Sequence, residues 1–471
     1  MPSKEKNAVP AILWFKNDLR IHDNEALTEA YKSGYHVLPI YIIDSRLFEK
    51  DVLHFKKAST IRYTFLMQTL ADLRLSLQER GTNLLILEGI PEEILPELVS
   101  KYGVRSIYCE QEYTQEEIDV VKAVCTAVSP ACDVYEYWGK TLYHLQDIPY
   151  SVDKIPLTSK AFRINTGKKA QVRPLFEAPQ KWQHYIIDNY GLSTSKYLKD
   201  QGNADSYLRG GELNALKRLD YYTQETELLT SYKWTRNKSL GMDYSSKLSP
   251  FMALGAISPR LIYYRVKEYE VKVKKNISTW WLVFEVVWRD YFTFKAMRMG
   301  NAIFKTEGYS KKQLEFNNNP DLFIAWCNGK TGIPFIDSHM RQLNQTGYMS
   351  NRGRVNCASF LVHDLKIDWT WGAAYFESLL IDYDVSSNWM NWHSQAYEIW
   401  YTNPINQSLK YKAYDYIHKW IPELRDIKDE MIYIPWELGR KLDYPDAVVK
   451  FDKWNRAIKK IQEAAGQQEL F

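Results

Sequence analysis

The sequence predicts two domains of different class. One is an N-terminal α/β domain on a parallel, Rossmann-like sheet, and the other is an all-helical C-terminal domain. From Ala11 to Trp138 short apolar runs alternate with helical patterns, the order expected of a sheet covered on both faces. From Gly210-Gly211 onward the apolar period is helical. Aromatic residues make up 14% of the chain, and thirteen of its 16 Trp fall between Trp234 and Trp454. That bias suits a large helical core, a planar aromatic ligand, or stacking on nucleic acid bases.

The strand candidates are AILWF (11–15), HVLPIYII (36–43), NLLILEG (83–89), RSIYCE (105–110) and CDVYEYW (132–138). Between them, residues 56–80 set Phe65, Leu66, Leu70, Leu73 and Leu77 at helical spacing. PEEILPELVSKYG (91–103) starts on Pro91 and stops at Gly103, as helices prefer. A parallel sheet binds ligands at the carboxyl ends of its strands. No G-x-G-x-x-G follows the first strand, so a dinucleotide fingerprint is absent.

Residues 140–205 show little periodicity and hold Pro149, Pro156, Pro174 and Pro179, which reads as a long connection. The domain bounds follow as 8–138, a linker at 139–205, and 206–471. Within the linker, 154–173 carry six Lys or Arg and no acid. This run reads as a solvated linker, with nucleic acid contact as the alternative. Next, GELNALKRLDYYTQ sets Leu213, Leu216 and Leu219 on one face. STWWLVFEVVWRDYFTFKAM (278–297) is apolar nearly all round, which predicts a buried helix, yet it carries Glu285, Arg289 and Asp290. Buried charges are expensive unless paired or used.

Net charge is +4, which permits an anionic partner without demanding one. Five Cys show no C-x-x-C pair, which argues against a zinc or iron–sulfur site and suits a reducing compartment. The opening MPSKEKNAVP lacks an apolar signal region, and no run approaches the ~18 apolar residues of a membrane span. A soluble, cytoplasmic monomer with no metal is expected.

The helical half also holds Arg289, Asn351, Arg354, Asp382, Asp384 and Asn388 in apolar surroundings, and a hydroxyl-rich loop YSSKLS (244–249). Singly these read as salt bridges and caps. Together, hydroxyls and a Lys suit a phosphate, an Arg–Asp pair suits a heterocycle edge, and aromatic walls suit a planar ring. The set fits a flavin adenine dinucleotide enclosed by helices.

LWFKNDLRIHDNEAL (13–27), SSKLSPFMALGAISPR (245–260), FEVVWRDYF (284–292), GKTGIPFIDSHMRQLNQTGYMSNRGR (329–354), ASFLVHDLKIDW (358–369) and LIDYDVSSNWMNW (380–392) occur in that order. With them the chain resembles the photolyase/cryptochrome family, and TGYMSNRGR and DYDVSSNWMNW resemble its DASH cryptochrome branch. The resemblance implies an α/β antenna domain and a helical FAD-binding domain. It implies that Tyr232, Ser245, Ser246, Lys247, Leu248 and Ser249 lie against the FAD phosphates and ribose, and that Arg289 and Asn351 line the pocket. It pairs Arg354 with Asp382 beside the isoalloxazine, sets Asp384 near its polar edge, and faces Asn388 to flavin N5. Trp392 and Trp369 match the first two members of the family's electron-transfer chain. If helical, Asn388 and Trp392 share a face.

The activity the resemblance implies is light-driven repair of cyclobutane pyrimidine dimers in single-stranded or looped DNA, by an electron from reduced FAD to a flipped-out dimer. Glu285 would hydrogen-bond the pyrimidine, Trp288 would pack on it, and Asn351 and Arg352 would stand at the rim. Glu285 in an apolar helix should have a raised pKa, with pairing to Arg289 as the alternative. Glu112 matches a glutamate that holds a folate (methenyltetrahydrofolate), so that pigment or another would be the antenna, although YCEQEYTQEE also reads as a solvated acidic face. Two departures favour the other reading, a blue-light receptor without repair. Phe316 stands where the third electron-transfer Trp belongs, leaving Trp371, Trp389, Trp400 or a Tyr to substitute. The segment HSQAYEIWYT (393–402), which helps wall the lesion cavity, is shorter than in the family.

Overall fold

In the computed structural model, residues 9–49, 51–52, 55–199, 208–310 and 312–468 are described. The opening residues 1–8 and the linker's last residues lie outside them. Five strands form one sheet: β1 (Pro10–Phe15), β2 (His36–Asp44), β3 (Leu85–Gly89), β4 (Ser106–Glu110) and β5 (Asp133–Tyr137). Their order is β3-β2-β1-β4-β5, all parallel. The three central strands are almost continuously apolar because helices cover both faces. The order reverses between β1 and β4, so a crevice opens at their carboxyl ends.

The helices of this half include α1 (Glu25–Lys32), α2 (Thr60–Gln78), α3 (Pro91–Tyr102) and α4 (Gln115–Val128). Pro91 opens α3, and Gly103 ends it in the left-handed conformation at φ +67°. The connection is not featureless. It forms α5 (Ser159–Lys169) inside the basic run, buries Phe162 completely, and lays Arg163 4.7 Å from the Phe284 ring centre. The basic run therefore contains a docked helix, while Lys154, Lys160, Lys168 and Lys169 stay exposed as the solvated reading expects. A period search misses it because only Phe162 and Thr166 face inward.

The C-terminal half is helical. Its first helix, α6 (Glu212–Asp220), buries Leu219 but leaves Leu213 45% exposed. A spacing of three and three drifts around a 3.6-residue helix, so the three leucines do not share a face. The other helices that matter are α7 (Leu228–Thr235), α8 (Ile277–Met299), α9 (Asn351–Ser359), α10 (Trp369–Leu379) and α11 (Val385–Tyr397). The apolar helix α8 is buried along much of its length, with Trp280 45% exposed near its start. Among the described residues no helix is long and apolar enough to cross a membrane.

The two halves are locked by buried polar contacts from the loop after β1. Asp23 meets Arg260 at 2.7 Å, and Ser258 Oγ donates to the same carboxylate. Arg20 Nη1 donates to Gly255 O at 2.9 Å, and Leu19 N to Leu254 O at 3.1 Å. Gly255 sits at φ +66°, where a Cβ would fall 1.9 Å from Asn17 O, so no other residue fits. Asp290 on α8 accepts from Leu142 N and Tyr143 N, both at 3.0 Å, and burial pushes its pKa up to about 7. Asp23→Ala strands the buried Arg260, so it should destabilise the fold by about 3–5 kcal/mol, whereas exposed Lys32→Ala should cost under about 0.5 kcal/mol. Urea denaturation of the two variants checks this.

Candidate functional site: two cavities sharing helix α11

The helical half encloses a cavity of about 290 Å³. Tyr232 on α7, the loop 245–249, Glu285 and Arg289 on α8, Asn351 and Arg354 on α9, and Asp382 line it. Asn388 and Trp392 enter from α11, four residues apart and on one face, as helical spacing demands. Local sequence sets these elements. Ser350 caps α9 by accepting from Gly353 N at 3.1 Å, and Asp384 caps α11 by accepting from Ser387 N at 2.8 Å.

The polar groups are arranged around one pair. Arg354 Nη2 lies 2.7 Å from Asp382 Oδ2, and Ser249 Oγ donates to the same oxygen at 2.8 Å. Asp382 Oδ1 is buried without a hydrogen-bond partner. Lys247 is 2% exposed at φ +59°, with Nζ 3.3 Å from the Tyr244 ring centre. Burial, and then the nearby Arg218 and Arg354, depress its pKa. A buried cation in strained backbone suits an anionic ligand. Asn388 Nδ2 donates to Ala373 O at 2.9 Å, which leaves its oxygen for a ligand.

Sequence reasoning missed Gln395, whose amide oxygen and nitrogen are both buried without partners in this cavity. It stands seven residues after Asn388, two helical turns along the same face, so the helix period was the available signal. Unpaired buried acceptors and donors, a strained cation and the rings of Phe376 and Trp392 fit a ligand with anionic and planar parts. Those are the parts of FAD.

Several expected residues have other partners than expected, and some lie outside this cavity. Glu285 is paired with Arg236 at 2.8 Å and accepts from Trp281 Nε1 at 2.9 Å, not with Arg289. Burial still raises its pKa, outweighing Arg236 and the indole N–H. Arg289 reaches 3.6 Å from Asp384. Asp384 does not line this cavity. Its carboxylate turns to the helix N-terminus and to Tyr113, and Arg289 with the Ser387 N–H offsets burial and lowers its pKa. Trp288 packs among Phe284, Tyr291 and Phe292, and Arg352 lies 5.0 Å from the Tyr411 ring centre and bonds Asn237. Neither lines the cavity. Trp369 is fully buried with its N–H on Thr306 O at 2.9 Å, and Phe316 packs on the same core.

A second cavity of about 730 Å³ opens at the crevice between the halves. Lys16 follows β1 and Glu112 follows β4, and both line it with Lys140, Asp384 and Trp389. Glu112 is 7% exposed, 3.1 Å from Lys16 and 3.2 Å from Lys140. It is a buried, paired carboxylate rather than part of a solvated acidic face. The acids that follow it do lie on a helix surface, which hid it. Glu110, 2.7 Å from Lys140, is pushed up to about 7 by burial.

Family models match the two halves: "DNA photolyase" over residues 11–180 and "FAD binding domain of DNA photolyase" over residues 281–464. Cryptochrome DASH of Xenopus laevis is 39% identical over 487 residues, covering 97% of this chain and 92% of that one. The solved cryptochrome of Synechocystis sp. PCC6803 superposes with a TM-score of 0.90 at 38% identity, covering 97% of this chain and all of that chain. A bacterial class III photolyase from Agrobacterium tumefaciens gives 0.79 at 25% identity over the full length of both. Fold and cavity together define an FAD-binding flavoprotein. The chain belongs to the photolyase/cryptochrome family, with its similarity running to the DASH cryptochromes.

Arg354→Ala removes the counter-charge of Asp382, whose side chain is 3% exposed. The variant should lose about 3–5 kcal/mol of stability, and Asp382→Asn should recover part of it in the double variant. Thermal unfolding with FAD content read by absorbance measures both.

Proposed function

We propose that the protein repairs cyclobutane pyrimidine dimers in DNA by light-driven electron transfer from reduced FAD held in the helical cavity. The observation that carries this reading is Glu285, a carboxyl with a raised pKa lining the same cavity as Asn388. FAD bound there supplies, on absorbing blue light in its reduced form, the single electron that splits the dimer. The loop 245–249 with Lys247 would hold the phosphates, Arg354–Asp382 would fix the ring edge, and Asn388 would offer its amide oxygen to the flavin. Glu285 keeps a proton for the carbonyl edge of the pyrimidine, and Arg236 and Trp281 fix its orientation. Arg289 and Asn351 complete the pocket wall.

DNA contact is supported by the aromatic ladder of α8. Trp280, Trp281, Phe284 and Trp288 follow one another at ring spacings of 5.5, 5.2 and 5.9 Å. The basic helix α5 lies alongside through Arg163. Aromatic faces beside cations are the means by which single strands are held, so single-stranded or looped DNA is the proposed substrate and a monomer the proposed unit. The crevice cavity, with Glu112 between Lys16 and Lys140, is the proposed seat of a folate or other antenna pigment.

One observation favours the receptor reading instead. The short 393–402 segment leaves Ile399 at 43% and Trp400 at 90% exposure beside the cavity. A receptor would photoreduce the flavin without restoring thymines.

The deciding experiment mixes FAD-loaded, chemically reduced protein with dimer-containing oligonucleotide under light. Restored thymines support repair. A bound, photoactive flavin with none restored overturns it in favour of the receptor. Glu285→Gln should lower repair about tenfold to a hundredfold at unchanged FAD content. A raised carboxyl pKa retains its proton above the usual carboxylate range and loses it as pH rises. Wild-type repair should therefore fall as pH rises through the Glu285 pKa, and the Gln variant should lose that step.

A further inference from the structure

We infer that the electron hole left after flavin photoreduction ends on Trp389, and that Glu377 takes the indole proton there. This rests on FAD binding alone and holds whether or not the protein repairs DNA. Three indoles gather where α10 and α11 pack. Trp392 lies against Gly372, one turn beyond Trp369, and the Trp369 and Trp389 ring centres are 5.9 Å apart. The usual outward step from Trp369 is closed, because Phe316 is too hard to oxidise.

The end of the path is set by where a proton can go. Trp389 Nε1 donates to Glu377 Oε2 at 3.0 Å, and both residues line the crevice cavity. Burial raises the Glu377 pKa, only partly offset by Lys57, Arg62 and the hydrogen bonds from Tyr383 and Trp389, so its carboxylate is a stronger base than an exposed one. The competing branch lacks a base. Trp326 lies 6.1 Å from Trp392 but is fully buried with its N–H on Cys357 O at 3.1 Å, and a carbonyl cannot take a proton. From Trp326 the onward rings are Phe323, which precedes Trp371, and Tyr375, whose hydroxyl donates to Cys327 O and Asn344 Oδ1, neither of them a base. Trp400, 90% exposed, has no ring neighbour among the described residues.

The balance is one electron from Trp389, by way of Trp369 and Trp392, to the photo-excited flavin, and one proton from Nε1 to Glu377. A neutral indolyl radical remains. A soluble thiolate entering the cavity returns the electron and Glu377 returns the proton. Two thiyl radicals then couple as a disulfide.

The test is flash photolysis of the oxidised, FAD-loaded protein. Wild type should leave a long-lived neutral tryptophan radical, and Glu377→Gln should leave a cation that recombines faster. Trp389→Phe should lower the photoreduction rate with thiol about tenfold. After prolonged light in air, peptide mass mapping of the wild type should find the oxygenated indole at Trp389. Photoreduction unchanged in Trp389→Phe, or oxygenation at Trp326, Trp371 or Trp400 instead, overturns the assignment. If Trp389→Phe fails to retain FAD, the radical form in Glu377→Gln and the wild-type map decide it.

Discussion

The buried contact of Asp23 with Arg260 constrains the rest of the structure, because it fixes how the two halves meet. Asp23 is fully buried as a side chain and Arg260 nearly so. An ion pair so placed adds little net stability over apolar packing, but breaking it is costly. Its effect is on geometry. It holds the loop after β1 against residues 254–260, and Gly255 lets the two backbones touch. The crevice cavity is the space this docking leaves open, and the loop 245–249 that lines the helical cavity is the chain leading into the same contact.

The polar residues that look misplaced on α8 have separate uses. Asp290 satisfies two backbone N–H groups of the connection, where an uncharged carboxyl costs less than a charged one. Arg289 spans the two cavities and meets Asp384. Glu285 is held by two neighbours from one side, Arg236 and Trp281, and lines the cavity with its other. An apolar helix tolerates three ionisable residues because each is answered by a different element.

The sheet was legible because parallel strands are buried on both faces and read as continuous apolar runs, and all five appear within a residue or two of the expected bounds. The helix inside the basic run was not, because docking on one apolar residue, Phe162, with Thr166 leaves no apolar period to read. At the site, residues on the face of α11 and the Arg354–Asp382 pair were legible through spacing and motif. Partners were not: nothing in the sequence ties Glu285 to Arg236, 49 residues away, rather than to Arg289 one turn along. The pairing of Glu112 was hidden for the same reason, since its two lysines, Lys16 and Lys140, come from distant loops.

Helix α11 shows how little sequence is needed to serve two cavities. Asn388, Trp392 and Gln395 recur at helical spacing and face the flavin cavity. Asp384, at the cap, and Trp389, a quarter turn from Asn388, face the crevice. The helix is therefore the partition between the two spaces. The hole left by flavin photoreduction moves from Trp392 on one face of this helix, through Trp369 on α10, to Trp389 on its crevice face. A chain with Phe316 in place of an outer tryptophan keeps a short path because the partition itself carries the next ring.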